Sequence, residues 1–181
     1  MEPKEWLKIK RKIIQKNKMQ ALIQEAFLME QKMLKTLSKE EVYDYMICKL
    51  NYCQRKQYFS SKDLHVRVVV GDICFIDFGN AYINEIGYLH FGLVLSIVHT
   101  KAFVVPMSGN QKTYQKADKD QNIHTYALPC IEGLNKPSVL FLNDVKWINT
   151  ARVIDRKAHI DPNGALFQTI KKRIKLLIDG N

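Results

Sequence analysis

The stretch YLHFGLVLSIV, Tyr88 to Val98, sets a single histidine in an apolar run. An imidazole ordinarily titrates near neutrality, so it can take up and return a proton under physiological conditions. His90 therefore has two readings: a hydrogen-bonded structural side chain, or a proton-transfer group at the edge of a small sheet. If the run is extended, His90, Gly92, Val94 and Ser96 share one face while Leu89, Phe91, Leu93 and Leu95 share the other. That parity puts His90 on the smaller, more polar face. Gly92 beside it carries no side chain and leaves room for backbone or ligand. Taken alone, Glu85, five residues upstream in a polar loop, is a solvated charge, and Ser108 is a turn residue.

Such groups act only if folded elements hold them. From Glu5 to about Leu37 there is no glycine or proline, and Met19, Leu22, Ile23, Ala26, Phe27, Met33, Leu34 and Leu37 recur at spacings of three and four, which predicts an amphipathic helix. SKEE follows, with Ser38 and Glu41 placed for a capping box. A second helix is expected to run to about Gln57, with Val42, Met46, Leu50 and Cys53 as its packing face. Together they predict a helical hairpin over residues 1–60. After SSKDLH the period changes. VRVVVGDICFIDF, FGLVLSIV, AFVVPM and SVLFLNDVKWINTARVI read as short strands of a compact antiparallel sheet or barrel occupying residues 66–181. Ser108 to Asn122 reads as a long polar loop. The last segment predicts a helix capped by Asp161, with Pro162 in its first turn and Leu166, Ile170, Ile174 and Leu177 facing the sheet.

The chain has 181 residues, 46% hydrophobic and 25% charged, which suits a folded core rather than disorder. No apolar run approaches the roughly 20 residues that span a bilayer. MEPKEWLKIKRK lacks the apolar segment of a secretory signal, so a cytoplasmic protein without membrane association is expected. Cys48, Cys53, Cys74 and Cys130 form no C-x-x-C pair and read as reduced thiols, not a zinc site or disulfide frame. The formal net charge is +10, and the first twenty residues hold seven basic against two acidic side chains, half of that surplus. Such a balance favours a polyanionic partner through counterion release.

From Gly71 onward the order of motifs resembles the PemK/MazF family of bacterial toxins. GDICFIDFG is similar to its opening strand, NEIGYLHFGLVLS to its acidic loop and second strand, and FVVPMS to its third. LNDVKWINTARV resembles a late strand and ALFQTIKKRIKLLI the closing helix. The resemblance implies an α+β fold, a small SH3-like antiparallel β-barrel with a C-terminal helix, here preceded by the helical hairpin. It also implies a homodimer restrained by a cognate antitoxin. The implied activity is an endoribonuclease that needs no metal or other cofactor and cleaves single-stranded RNA. In that reaction the ribose 2′-hydroxyl attacks phosphorus, leaving 2′,3′-cyclic phosphate and 5′-hydroxyl ends.

Carried over residue by residue, the family's loop glutamate falls on Glu85 and its hydroxyl residue on Ser108. The arginine of its Arg-Pro pair falls on His90, and Phe91 replaces the proline. Histidine gives a titrating group where the family has a permanent, forked cation. The resemblance thus makes His90, Glu85 and Ser108 the candidate catalytic residues. Lys112 and Lys101 are candidates to replace the missing guanidinium, and Tyr82, Tyr88 and Trp147 are candidate stacking platforms for RNA bases. His99 and His124 have no counterpart and read as surface residues. The competing reading is a nucleic-acid-binding or interaction module of the same fold that lost catalysis with its Arg-Pro pair.

Overall fold

The structure is a computed structural model and describes residues 3–10, 14, 19–120 and 122–180. The chain divides into two units, Met1–Tyr43 and Asp44–Asn181, whereas the change of sequence pattern lies near residue 60. The first unit holds α1 (Pro3–Lys8), α2 (Met19–Leu34) and the start of α3 (Lys39–Arg55). Residues 11–13 and 15–18 of the helix expected from Glu5 lie outside the described residues, as do Arg11, Lys12, Lys16 and Lys18 of the basic cluster. The capping box forms: Ser38 N donates to Glu41 at 2.7 Å and Glu41 N donates to Ser38 Oγ at 3.2 Å. The expected packing stripe of α2 is uncovered, for no residue of that helix is buried, and Met19, Ile23, Phe27 and Met33 are exposed.

In the second unit seven strands follow: β1 (Asp72–Asp77), β2 (Leu89–Val98), β3 (Lys101–Ser108), β4 (Thr125–Leu128), β5 (Ser138–Phe141), β6 (Lys146–Asn149) and β7 (Val153–His159). All described pairings are antiparallel, in the order β4-β5-β3-β2-β1-β7. On its edge away from β2, β3 takes two partners in turn, β6 along Lys101–Val104 and β5 at Met107 and Ser108. Pro106, which has no N–H to give, stands between the two pairings. The path does not close on itself, and the class is the α+β arrangement that the motif order implied.

A run that is apolar at every position is buried on both faces, and the middle of β2, Gly92–Leu95, is such a run. Leu93 and Leu95 enter a core with Ile73, Val105 and Met107, closed by Phe167, Ile170 and Ile174 of α5 (Ala165–Asp179). Val94 enters a second core with Cys74, Ile76, Phe78, Val104 and Val153. The face expected to be polar is therefore a second apolar layer for most of its length. The room beside Gly92 is also filled: a Cβ there would stand 3.0 Å from Ile76 Cδ1 and 3.1 Å from Phe78 Cζ.

Four further expectations are corrected. Val66–Val70 forms no strand, because the Asp72 carboxylate accepts from Val69 N at 2.8 Å and turns the chain. The polar segment after Ser108 folds as α4 (Gln111–Asp120), begun by Asn110, whose side-chain oxygen accepts from Thr113 N at 3.1 Å. α5 starts at Ala165 after Gly164, so Asp161 and Pro162 form the preceding turn rather than the cap and first turn. Within α3, Met46, Leu50 and Cys53 are exposed, and Tyr45 and Cys48 are buried instead. The inward face is chosen by hydrogen bonds: Asn51 Nδ2 donates to Asp77, and Arg55 Nη1 donates to the carbonyls of Ala151 and Val153 at 3.1 and 2.9 Å.

Candidate functional site

Eleven residues, 78–88, separate the end of β1 at Asp77 from the start of β2 at Leu89, and the ends of this loop are clamped. Phe78 N donates to Tyr88 O at 2.8 Å and Tyr88 N to Gly79 O at 2.6 Å. Gly87 permits this closeness, since a Cβ there would lie 2.6 Å from that of Ala81. The middle of the loop is tied down at Ile86, whose N–H donates to the Asp144 carboxylate and whose carbonyl accepts from Lys146 Nζ at 3.2 Å. Lys146 and Asp144 pair with each other at 3.2 Å. The tip is a turn, with Glu85 N donating to Tyr82 O at 3.1 Å and Tyr82 N donating to Glu85 Oε2 at 3.2 Å. Tyr82 and Ile83 at the tip are exposed.

His90 follows the loop as the second residue of β2, half-buried, opposite Ile76. Its Nδ1 lies 2.8 Å from the carbonyl oxygen of Gly87. A carbonyl only accepts, so Nδ1 carries the proton, and in the neutral ring Nε2 holds the lone pair. The last paired residues at this end of the β2–β3 ribbon are Phe91 and Met107. One step further, the same register sets His90 against Ser108, positions whose Cβ atoms stand about 5 Å apart in such a pair. Ser108 Oγ accepts from Asn110 N at 3.2 Å and keeps its own hydrogen to donate.

The predicted residues thus fall into two groups. Glu85, Tyr82, Tyr88, His90 and Ser108 lie at the loop end of the ribbon, with Lys112 exposed in the first turn of α4 just beyond Ser108. Among the described residues Glu85 makes no hydrogen bond to His90; its carboxylate stays with Tyr82. Lys101 and Trp147 lie at the opposite end and line one hollow of about 510 Å³ beside the β2–β3 turn. Seven strand steps separate Lys101 from Ser108, about 23 Å at ordinary rise. Trp147 is half exposed and stacks on Phe103 with centroids 5.2 Å apart. His99 and His124 are exposed as expected.

Sequence reasoning missed several buried polar groups. Asp72 is wholly buried, its Oδ1 2.9 Å from Arg156 Nε and 2.8 Å from His159 Nδ1. Asp77, also buried, accepts from Gly79 N at 2.8 Å and from Asn51. Burial, with Asp77 beside it, pushes the Cys48 thiol up to about 12; burial near Asp72 does the same for Cys74. Both are therefore protonated and inert at neutral pH. A cleft of about 260 Å³ beside Asp77 is lined by Tyr52, Arg55, Lys56, Tyr58 and Arg152, none of them singled out by periodicity or spacing.

Element order, sheet and loop define an α+β domain whose curved ribbon presents an imidazole and a hydroxyl at one rim. No protein-family model matches the chain, and no match is found among curated proteins. Among solved structures it is similar to the MazF of Deinococcus radiodurans, with 14% identity and a TM-score of 0.48 over 62% of this chain and 96% of that one. It is likewise similar to an endoribonuclease solved with its cognate antitoxin from a mycobacterial species, at 11% identity and TM-score 0.45 over 64% and 98% of the two chains. The Mycobacterium tuberculosis toxin MazF-mt6 shares 13% identity, at TM-score 0.44 over 61% and 98%.

Proposed function

We propose that the chain is a metal-independent endoribonuclease toxin that cleaves single-stranded RNA through attack of a ribose 2′-hydroxyl on the adjacent phosphorus. The observation that carries this reading is the Nδ1 hydrogen bond of His90 to Gly87 O, which leaves Nε2 as a proton acceptor at the rim shared with Ser108. In the proposed step Nε2 takes the 2′-hydroxyl proton as the new O–P bond forms. The bond from phosphorus to the 5′-oxygen breaks, and that oxygen receives a proton from the acid partner. Ser108 Oγ donates to a non-bridging oxygen as charge builds there. Glu85 serves as the acid or orients the substrate, and Lys112 supplies the cation that the histidine lacks. Tyr82 and Tyr88 stack on unpaired bases, which their place on the loop supports. A homodimer, a cognate antitoxin and a cytoplasmic setting belong to the same proposal. Among the described residues no helix is long and apolar enough to cross a membrane.

One observation favours the second reading, a binding module without catalysis: the Glu85 carboxylate is held by the loop tip rather than by His90. The two part on a single assay. Full-length protein is incubated with single-stranded RNA and a chelator, and the product ends are characterised. Cyclic phosphate and 5′-hydroxyl ends are expected, with cleavage by His90→Ala lower by about 10²- to 10⁴-fold. Cleavage that stops on adding chelator contradicts the metal-free mechanism; unchanged cleavage by His90→Ala contradicts the role of the imidazole.

A further inference from the structure

The segment before β1 and the segment after β6 run alongside each other. Ser61 N donates to Thr150 Oγ1 at 3.1 Å, and both residues are buried. A hollow opens on each flank. Asn149 and Ala151 line the cleft of about 260 Å³ that holds Arg55, Lys56 and Arg152. Thr150 lines a second, of about 400 Å³, with Lys62, His65, Arg67 and His99. Through His99 and Thr100 the second continues into the hollow that holds Lys101 and Trp147.

The charge along this line is of one sign. Among the described residues, six permanent cations and two imidazoles line the three hollows, and the one acidic side chain there is Asp77, whose two oxygens are already taken by Gly79 N and Asn51. The nearby Asp63 carboxylate accepts from the backbone of Phe59 and Ser60, at 2.8 and 3.0 Å. Arg55 is fixed in advance by the carbonyls of Ala151 and Val153, and Arg152 by that of Asp77 at 3.1 Å, each through Nη1 alone, so the other guanidinium N–H groups are available without further ordering. Aromatic faces stand at both ends, Trp147 at one and Tyr52 at the other, each more than half or about half exposed.

We infer that the three hollows form one track for the sugar–phosphate backbone of single-stranded RNA, with bases stacked on Trp147 and Tyr52. Cations spaced along a groove follow a phosphate chain, and exposed ring faces take unstacked bases, which selects a single strand over a duplex. The inference rests on the ribonuclease reading for the identity of the strand, and it puts RNA contact at the far end of the ribbon from His90.

The test is fluorescence anisotropy with full-length protein and a labelled 2′-O-methyl RNA, which cannot be cleaved by 2′-attack, over a range of salt concentrations. Each phosphate contact to a single strand contributes about 0.7 to the slope of log K against log salt. Lys62→Ala/Arg67→Ala/Lys101→Ala, all at exposed positions, is expected to flatten the slope by about 2. Lys171→Ala/Lys172→Ala/Lys175→Ala, the same loss of charge on exposed positions of α5, is expected to leave it as in wild type. Trp147→Ala is expected to weaken binding about tenfold, with most of the loss restored by Trp147→Phe. An unmoved slope in the first variant, equal flattening in the second, or equally tight binding of a duplex overturns the track. Cleavage by wild type with an unmoved slope sinks the track alone. Binding through the track without cyclic phosphate ends sinks the ribonuclease reading alone.

Discussion

His90 Nδ1 donates to the carbonyl of Gly87 across 2.8 Å, so one histidine closes the base of the loop and, in the neutral ring, keeps the lone pair on its other nitrogen. The two roles are separable. His90→Asn can keep a donor near Nδ1 but has no proton acceptor at Nε2, whereas His90→Ala loses both. Cleavage is expected to fall by about 10²- to 10⁴-fold in either variant. Only His90→Ala should also lose about 1 kcal/mol in urea unfolding. Full activity in His90→Asn removes the base from the mechanism.

Ser108→Ala tests the donor across the ribbon. Loss of one aligned donor to a developing oxyanion lowers turnover by about 10²- to 10³-fold, while the turn bond to Asn110 N is worth about 1 kcal/mol. Single-turnover cleavage by Ser108→Thr should stay near wild type. Equal losses in Thr and Ala variants point to a turn residue and nothing more.

Asp72 joins three segments, accepting from Val69 N and pairing with Arg156 and His159 of β7. Asp72→Ala leaves the Val69 N–H without that acceptor and should cost about 2–3 kcal/mol. Asp72→Asn retains an acceptor and should cost less. Denaturant midpoints read both, and a neutral Ala variant contradicts this account of how Val66–Val70 is held.

Gly92→Ala meets three atoms at once: Ile76 Cδ1, Phe78 Cζ and, at 3.3 Å, the carbonyl oxygen of Val105. Two of them are ends of side chains and can give way, but the third is backbone. About 1–3 kcal/mol of destabilisation is expected from this overpacking. An unchanged melting temperature means that the space beside His90 is open after all.

The thiols give a pH prediction with a definite sign. Cys48 and Cys74 rise from an ordinary 9.0 to about 12 in the folded protein, chiefly through burial. The folded state therefore keeps protons that the unfolded chain releases. Their stabilising contribution is complete below pH 9 and is lost as pH climbs through about 12. Urea midpoints of wild type should fall more steeply across that window than those of Cys48→Ala/Cys74→Ala. At neutral pH an alkylating reagent should label Cys53 and Cys130 in the native protein, and Cys48 and Cys74 only after unfolding.

What was legible in the sequence depends on which force shaped each element. β2, β3 and the inner face of α5 were readable because burial of apolar surface chose them, and apolar runs show in one dimension. α4 escaped notice because its residues are polar and its start rests on one side-chain hydrogen bond from Asn110. The inward face of α3 was misread for a related reason: Asn51 and Arg55 win their place by bonding Asp77 and two carbonyls about a hundred residues further on, against an apolar stripe that stays exposed.

Most strand segments and the closing helix were legible as local periodicity, which survives without coordinates, whereas the candidacy of Glu85 and Ser108 beside His90 came from the resemblance in motif order. Tertiary structure decided which nitrogen of His90 is protonated, that His90 and Ser108 lie at the same end of the β2–β3 ribbon while Glu85 stays with Tyr82, and that Lys101 and Trp147 belong to the other end. It also assembled the cationic hollows from residues 51–68, 97–101 and 147–152, with Asp77. Proximity between such distant segments follows from strand register and helix docking, which no single stretch of chain encodes.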